Sequence, residues 1–307
     1  MNKEIQKLLF FFAKAILIVI VLDFALGKGL EIFYNRMSVG EKARANYFIR
    51  KDLSDVIVFG SSRALYHYHA GVLADSLQTT VYNAGRSNQT ILYHLALLKT
   101  ILKRHTPKMV ILDVNEEELV KSQKKYELLS ALLPYCHYDE DIRALYRKAN
   151  PGYGFWSWSR SLPYNSSVFA TLYRGITRGK DNDIHGFLNH DGVFKDSLKT
   201  TDNCAANYPL DPMLEQSFSE FVALCKARNI TLFVSVSPRF VQYKCRRPEY
   251  EALQNLAKQD GVAIHDYEDL YDDGSYFSDP SHLNSKGALA FSKSIAPILK
   301  ASLHPQQ

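Results

Sequence analysis

The chain opens on a long apolar stretch. Residues 8–27 read LLFFFAKAILIVIVLDFALG, and about twenty apolar residues are enough to span a bilayer as a helix. Lys14 and Asp23 interrupt the stretch, and a lysine in mid-span is costly in hydrocarbon. We predict an N-terminal membrane anchor at residues 1–30. A cleaved signal peptide is the alternative, because the ALG at residues 25–27 is an acceptable small-residue cleavage site.

Five short apolar runs follow, and each is bounded by turn residues. Consecutive apolar positions indicate strands buried on both faces, as in a parallel sheet covered by helices. Segments with apolar residues at helical spacing lie between the runs and supply the crossovers. The pattern therefore predicts a three-layer α/β/α domain built on parallel strands. The runs occupy residues 55–60, 79–85, 109–114, 231–237 and 261–267.

The same pattern sets the expected domain organisation. Residues 31–52 are predicted to form a linker and a lead-in helix, and residues 53–307 the α/β domain. Within that domain, residues 116–207 lack the alternation of strands and helices, and we interpret them as a lid-like insertion over the active edge of the sheet. The alternative is a set of helices, for which residues 143–148 and 168–176 are candidates. The last helix is expected to run from Ser285 to about Ser302, with Pro297 as a residue that kinks or shortens it.

The composition and the absence of nucleotide-binding motifs argue against a nucleic-acid partner and a nucleotide cofactor. A hydrophobic content of 46%, a charged content of 22% and a net charge of +5 are ordinary for a globular protein. The basic residues are not clustered with aromatic residues, so no nucleic-acid partner is expected. The sequence has no phosphate-binding loop and no dinucleotide fingerprint, so no nucleotide cofactor is expected.

The four cysteines do not form a metal-binding motif. They are widely spaced with no C-x-x-C pair, which argues against a zinc site. Cys225 lies on the apolar face of a predicted helix and is expected in the core. One disulfide among Cys136, Cys204 and Cys245 is compatible with an oxidising compartment, and the sequence does not select the pair.

Polar residues follow the first three predicted strands, at the end where α/β sheets bind ligands. The first strand runs into GSSR at residues 60–63, where Ser62 is a candidate nucleophile. The simpler interpretation is that one of the two serines caps a helix. Gly85 and Asn115 follow the second and third strands. Each of these residues can donate an N–H group to a developing oxyanion. The alternatives are that Gly85 only makes the turn and that Asn115 only caps a helix.

The stretch SDPSHLNSKG precedes the last helix and places Asp279 three residues before His282. A carboxylate that holds one ring nitrogen of a histidine leaves the other nitrogen free to take a proton from a serine. The alternative is that Asp279 caps the helix and His282 is incidental. A metal site made of Asp113, Asp279 and His282 is a further alternative.

Taken in order, these features resemble the SGNH/GDSL hydrolase family. The family's motifs are Gly-x-Ser after the first strand, Gly after the second, Asn after the third and Asp-x-x-His before the last helix. The resemblance covers roughly residues 53–120 and 229–302, and it implies a flavodoxin-like α/β/α fold. The roles it implies are Ser62 as nucleophile, His282 as base, Asp279 as its orienting acid, and Ser62, Gly85 and Asn115 as the oxyanion hole.

The sequence departs from the family pattern at several positions. Ser61 and Arg63 stand where the family usually has an acidic residue and a leucine, and the third block reads DVNE at residues 113–116 where the family has Gly-x-Asn-Asp. The form GSSRA, together with an N-terminal anchor, looks like the branch found beside bacterial cell-envelope polysaccharide genes. Members of that branch are thought to add or remove acyl groups on glycans.

The resemblance implies a serine-dependent ester hydrolase that acts on O-acylated cell-envelope glycans without a cofactor or metal. The alternatives are an O-acyltransferase supplied by a membrane-bound acyltransferase, and a non-catalytic glycan-binding protein on the same fold. An anchored chain is expected in the bacterial inner membrane as a single-pass protein with its catalytic domain in the periplasm. A chain with a cleaved signal is expected to be secreted.

Basic residues flank both ends of the apolar stretch, so the charge distribution does not indicate on which side of the membrane the domain lies. The periplasmic location is inferred from the cell-envelope chemistry that the resemblance implies. Three residues are candidates for substrate binding: Arg63, Trp156 and Trp158. Tryptophan rings stack well on sugars, and they are equally typical of a plain core or interface.

Overall fold

The computed structural model describes residues 3–177, 183–201, 208–245 and 248–303. The chain divides into two compact units. The first unit consists of residues 1–46 and 130–181, and the second consists of residues 47–129 and 182–307. The described residues contain these α-helices: α1 (Lys3–Arg36), α2 (Glu41–Arg50), α3 (Ser62–His67), α4 (Ala70–Leu77), α5 (Ile91–Ile101), α6 (Gln123–Leu128), α7 (Glu140–Ala149), α8 (Tyr153–Trp156), α9 (Val168–Thr177), α10 (Pro212–Ala227), α11 (Pro248–Gln259) and α12 (Ser285–Leu303).

The second unit is built on a five-stranded parallel sheet with the strand order β2-β1-β3-β5-β7. This is the flavodoxin-like order, in which ligands bind at the carboxyl ends of the strands. The predicted α/β fold is therefore confirmed. The strands of this unit are β1 (Val56–Phe59), β2 (Val81–Asn83), β3 (Met109–Asp113), β4 (Lys199–Thr201), β5 (Thr231–Val236), β6 (Val241–Tyr243), β7 (Ile264–Asp266), β8 (Phe277–Asp279) and β9 (His282–Leu283).

Helices cover both faces of this sheet, which is why the strands read as continuous apolar runs. Val56 and Val58 lie in one core cluster with Leu73 of α4 and Phe291 of α12. Phe59 points to the opposite face, because side chains alternate along a strand. There its ring lies edge-on to Phe221 of α10, with the centroids 5.7 Å apart.

The final helix has the expected span, because α12 begins at Ser285 and ends at Leu303. Pro297 lies inside it and does not shorten it. A proline removes a single intrahelical hydrogen bond. The buried side chains of Ile295 and Leu299, one on each side of Pro297, hold the helix against the core.

The first unit contains one helix that is long and apolar enough to cross a membrane. An 18-residue window of α1 has a mean hydropathy of 2.6 and no buried residue, a pattern that a membrane anchor and a signal sequence share. The helix continues without a break beyond residue 30 to Arg36. Towards this C-terminal end a single face of the helix becomes buried, at Gly27, Leu30 and Tyr34.

Residues 130–177 supply the structure that covers this face of α1. Tyr34 packs edge-on against the rings of Tyr135 and Tyr164, at centroid distances of 6.0 and 5.5 Å. Gly175 of α9 lies so close to α1 that a Cβ atom there would be 2.6 Å from the carbonyl oxygen of Phe33. Close backbone packing of this kind needs glycine at position 175.

The stretch at residues 116–207 is divided between the two units. Residues 130–181, which include α7, α8 and α9, belong to the first unit, and the remainder belongs to the second. Helices α7 and α9 cover the two segments, 143–148 and 168–176, for which the sequence left a helix open. Its role as a lid stays a prediction.

The turn between β1 and α3 requires glycine at position 60. Gly60 has φ = +144°, a conformation that L side chains rarely adopt. A Cβ atom there would also lie 2.7 Å from the carbonyl oxygen of Asp113 and 2.8 Å from the Cβ of Ala64. Glycine therefore lets the chain leave β1 against the end of β3 and place Ser62 at the start of α3.

We predict that Gly60→Ala destabilises the protein by at least about 1–3 kcal/mol, the usual cost of a strained backbone conformation. Thermal unfolding of the full-length chain in detergent measures the loss. Gly29→Ala is the matched control, because a Cβ there meets nothing within 4 Å and alanine favours a helix by up to about 1 kcal/mol. Equal melting temperatures for Gly60→Ala and the unsubstituted protein would contradict the steric argument.

Candidate active site

The structure brings the hydroxyl of Ser62 to the imidazole of His282. Ser62 Oγ lies 2.8 Å from His282 Nε2, across a separation of 220 residues in the chain. Ser61 occupies the N-cap position of α3 and makes no side-chain cap hydrogen bond. The two adjacent serines are thus distinguished by geometry, and Ser62 is the one that meets a base.

His282 is held from its other side by Asp279. His282 Nδ1 lies 2.9 and 3.0 Å from the two carboxylate oxygens, and one of these oxygens also accepts hydrogen bonds from the amides of Ser281 and His282. Burial favours a higher pKa for Asp279, but the hydrogen bonds from the His282 ring and these amides outweigh it and lower the pKa below its usual value. The ionised carboxylate keeps the ring proton on Nδ1, so Nε2 accepts from the serine.

The local structure around this pair is a tight hairpin. Asp279 ends β8 and His282 begins β9, and the two residues pair directly in an antiparallel ladder. Pro280 and Ser281 form the turn between them. A spacing of three residues brings a carboxylate beside an imidazole in a tight hairpin as well as in a helix, so the sequence pattern fits both.

The three predicted oxyanion donors differ in whether their N–H groups already have hydrogen-bond partners. The amide of Gly85 donates to the Oδ1 of Asn83 at 2.9 Å. The side-chain amide of Asn115 donates to Glu118 at 3.1 Å, and its oxygen accepts from the amide of Glu117. Among the described residues, the amide of Ser62 has no hydrogen-bond partner. An oxyanion role for Gly85 and Asn115 stays a prediction, and it requires their N–H groups to turn from these partners to a substrate.

Arg63 is buried and holds the ends of two strands together. Its Nη2 donates to the carbonyl of Val114 at 2.6 Å, and its Nη1 lies 3.5 Å from the carbonyl of Ser237. Its Nε lies 3.7 Å from the carboxylate of Asp113. Arg63 would have to leave these contacts to bind a substrate, so its predicted role in substrate binding gains no support.

Asp113 is the buried carboxylate at the centre of this network. One of its oxygens accepts hydrogen bonds from the hydroxyl of Tyr68 and the amide of Ser237, at 2.9 and 3.0 Å. Burial raises the pKa of Asp113, and the charge of Arg63 acts in the opposite direction. The carboxylate therefore joins α3, β3 and the residue after β5 beneath the nucleophile.

His67 links the helix of the nucleophile to the strand of the base. Its Nε2 accepts the amide hydrogen of Leu283 at 3.0 Å, so the ring proton lies on Nδ1, which donates to the hydroxyl of Ser237 at 2.9 Å. Burial, and then the charge of Arg63, lowers the pKa of His67 well below its usual value. The ring stays neutral and acts as a fixed crosslink, a role that no local sequence signal indicates.

Two further rings surround His282. The ring of His190 stacks on it, with 5.7 Å between centroids and 24° between planes. The ring of Tyr66 lies edge-on to both histidines, at 5.6 Å from His282 and 4.7 Å from His190. His190 comes from the long stretch that precedes α10, and no sequence motif marks it. These rings restrict the rotation of the His282 side chain.

The two tryptophans belong to a different unit from the triad. Trp156 and Trp158 belong to the first unit, whereas Ser62, Asp279 and His282 belong to the second. Both tryptophans are more than half exposed. Their predicted role in substrate binding stays a prediction. Among the described residues, no group of three or more His, Cys, Asp or Glu side chains is placed to hold a metal ion, and this includes Asp113, Asp279 and His282.

Comparisons with known proteins add little to this geometry. No protein-family model matches the sequence, and no curated protein matches it. The chain is similar to a solved structure described as "a putative lipolytic protein of G-D-S-L family from Desulfitobacterium hafniense DCB-2". The two chains are 12% identical, the match covers 79% of this chain and 98% of that chain, and the TM-score is 0.38. A likeness this distant carries no argument, so the function has to be argued from the site itself.

The network beneath the triad predicts the effect of removing Arg63. Arg63→Met should destabilise the protein by about 3–5 kcal/mol, because it leaves the Asp113 carboxylate buried without its counter-charge. The double variant Arg63→Met/Asp113→Asn removes that charge as well and should recover part of the loss. Thermal unfolding measures both effects. A variant with an unchanged melting temperature and a raised KM would instead establish Arg63 as a substrate-binding residue.

Proposed function

We propose that this chain is a serine-dependent ester hydrolase in which Ser62 is the nucleophile, His282 the general base and Asp279 the orienting carboxylate. The observation that carries the proposal is the continuous hydrogen-bond chain from Asp279 through His282 to Ser62, with distances of 2.9 and 2.8 Å. This arrangement activates a hydroxyl that is otherwise a weak nucleophile. The sequence resemblance to the SGNH/GDSL family supports the same assignment.

In the proposed reaction, His282 Nε2 takes the proton of Ser62 as Oγ attacks the carbonyl carbon of the ester. The carbonyl oxygen becomes an oxyanion. When the carbon–oxygen double bond re-forms, the alcohol leaves and receives the proton from His282, and the acyl group remains on Ser62. A water molecule then attacks the acyl-serine with His282 again as base, which releases the carboxylic acid and restores the serine.

The oxyanion is the charge that this site has to stabilise. In the proposal, the amide of Ser62 is the first donor, and the amide of Gly85 and the side chain of Asn115 complete the hole once they release their present partners. A single donor in such a hole can be worth about 10²–10³ in rate.

The proposed substrates are O-acylated glycans of a bacterial cell envelope, because of the resemblance of the GSSRA motif to the cell-envelope branch of the family. Two observations support a location at the outer side of the inner membrane. The helix α1 suits an anchor, and Cys245 is disulfide-bonded, which is typical of oxidising compartments. Cys136 and Cys225 are free and buried, and Cys204 lies outside the described residues.

A retained anchor is favoured over a cleaved signal. The carboxylate of Asp23 accepts hydrogen bonds from the hydroxyl of Ser159 and the amide of Arg160, both at 2.7 Å. Cleavage after residues 25–27 would remove Asp23 and leave these donors without their acceptor. Loss of a buried hydrogen-bond partner is costly, so the folded first unit needs the helix that a signal peptidase would remove.

An O-acyltransferase is the second candidate function, and α1 is the observation that favours it. A membrane-bound acyltransferase partner could deliver an acyl group to Ser62, and a sugar hydroxyl would then take the place of water in the second half of the reaction. Dependence of turnover on an added glycan acceptor separates the two functions. A hydrolase releases free carboxylic acid without the acceptor.

The pair of adjacent serines provides a matched test of the nucleophile. We expect Ser62→Ala in the full-length protein to abolish labelling by a fluorophosphonate probe and to lower hydrolysis of p-nitrophenyl acetate by about three orders of magnitude or more. Ser61→Ala should retain both activities. Both variants should keep the melting temperature of the unsubstituted protein. Labelling that survives in Ser62→Ala would refute the assignment of the nucleophile.

The side chain of Asn115 provides the test of the oxyanion hole. Asn115→Ala should lower kcat by roughly 10²–10³ if the amide donates to the oxyanion. Asn115→Asp keeps an oxygen for the amide of Glu117 but removes the donor, and it should lose activity to a similar extent. Steady-state kinetics on the folded variants measures the effect. Full activity in both variants would show that Asn115 has only its structural role at Glu117 and Glu118.

A further inference from the structure

Three aromatic side chains form an exposed patch in the first unit. Phe155, Trp156 and Trp158, which we call the aromatic patch, are 81%, 54% and 56% exposed. Their neighbours in the chain point inward, since Tyr153 and Ser159 are buried. An exposed apolar surface with two tryptophans marks an interaction site more often than a chance feature.

Hydrogen bonds hold the aromatic patch at a fixed position along α1, next to Asp23. The segment immediately after it donates hydrogen bonds to Asp23, from the hydroxyl of Ser159 and from the amides of Arg160 and Ser161. The guanidinium of Arg160 also lies over the ring of Phe24, 5.9 Å from its centroid. The patch is therefore held beside the position of Asp23 along the helix.

The first buried residue of α1 is Gly27, four residues beyond Asp23, and the three residues between them are exposed. The segment from Ile5 to Leu22, which ends directly before Asp23, has 18 residues, and none of them is buried. At 1.5 Å per residue this segment is about 27 Å long, close to the ~30 Å thickness of a bilayer's hydrocarbon core. A carboxylate is costly inside hydrocarbon, so Asp23 and its hydrogen bonds belong at the boundary.

We propose that the aromatic patch lies in the headgroup region of the bilayer, beside the end of the membrane-spanning segment of α1. The proposal rests on the proposed anchor and adds a second attachment to it. Tryptophan is enriched at this depth because its ring is apolar while its N–H group bonds to water and headgroups.

A lipid surface fits the aromatic patch better than a sugar or a protein does. Phe24 and Leu26 of α1 are exposed apolar side chains as well, one and three residues beyond Asp23. The patch also lies at the level where the helix length places the headgroups. The two tryptophans therefore anchor the first unit against the membrane.

The only two tryptophans of the chain are Trp156 and Trp158, so tryptophan fluorescence, excited at a wavelength that the 19 tyrosines do not absorb, reports on the aromatic patch alone. We would reconstitute the full-length protein in phosphatidylcholine–phosphatidylglycerol vesicles that carry quenchers at defined depths. Lipids with a headgroup nitroxide or with bromines near the glycerol should quench strongly, and lipids brominated near the chain ends should quench weakly. Iodide in the buffer should quench much less than it quenches free tryptophan.

The variants Trp156→Phe and Trp158→Phe assign the signal to each ring, and both rings should show the shallow pattern. Quenching by iodide without quenching by any lipid would overturn the proposal, since the patch would then face water. Preferential quenching by the deepest bromines would overturn it as well. Equal protection from iodide and from every labelled lipid would place a protein surface over the patch and would also contradict a lipid contact.

A separate reporter tests the anchor on which this inference depends. Phe12→Trp, in a chain with Trp156→Phe and Trp158→Phe, places the only tryptophan about 15 Å from Leu22 along the helix. Its fluorescence should be quenched most by the deepest bromines. A deep signal at position 12 with a water-exposed patch would reject the interfacial contact alone. A water-exposed signal at position 12 would reject the anchor itself.

Discussion

The carboxylate of Asp113 sits at the end of the central strand, fully inside the protein, and the geometry of the candidate site depends on how it is satisfied. A buried charge is tolerated only where hydrogen bonds and a counter-charge compensate the loss of water. Tyr68 and Ser237 supply the hydrogen bonds and Arg63 the counter-charge. Because Arg63 is next to Ser62 in α3, the requirement that fixes the guanidinium also fixes the nucleophile.

The same helix fixes the base through His67. The imidazole of His67 accepts from the amide of Leu283, the residue after His282, and donates to Ser237. A neutral ring with both nitrogens in use has one orientation, so α3 and the β8–β9 hairpin are connected by a rigid side chain. The hydrogen bond between Ser62 and His282 is thus supported from below by a network that does not itself contact a substrate, and such preorganisation determines how well a triad works.

The sequence predicted the sheet but not the network around Ser62 and His282. Apolar runs report burial on two faces directly, whereas the roles proposed for Ser62, Asp279 and His282 are those that the family resemblance implies. The network escaped prediction because His67 and Ser237 are 170 residues apart in the chain and neither lies in a recognisable motif. The hairpin at Asp279 escaped for another reason, since the spacing Asp-x-x-His fits two local structures.

The triad is assembled in this structure, whereas the proposed oxyanion hole is not. The N–H groups of Gly85 and Asn115 are committed to Asn83 and Glu118, and Asn83 is itself fixed because its side-chain amide donates to two buried carbonyls. A substrate that completes the hole has to replace these bonds, and part of its binding energy goes into that exchange. Small esters offer little binding energy, so such a site would turn them over slowly. A larger substrate offers more binding energy, and a site of this kind would favour it over small esters.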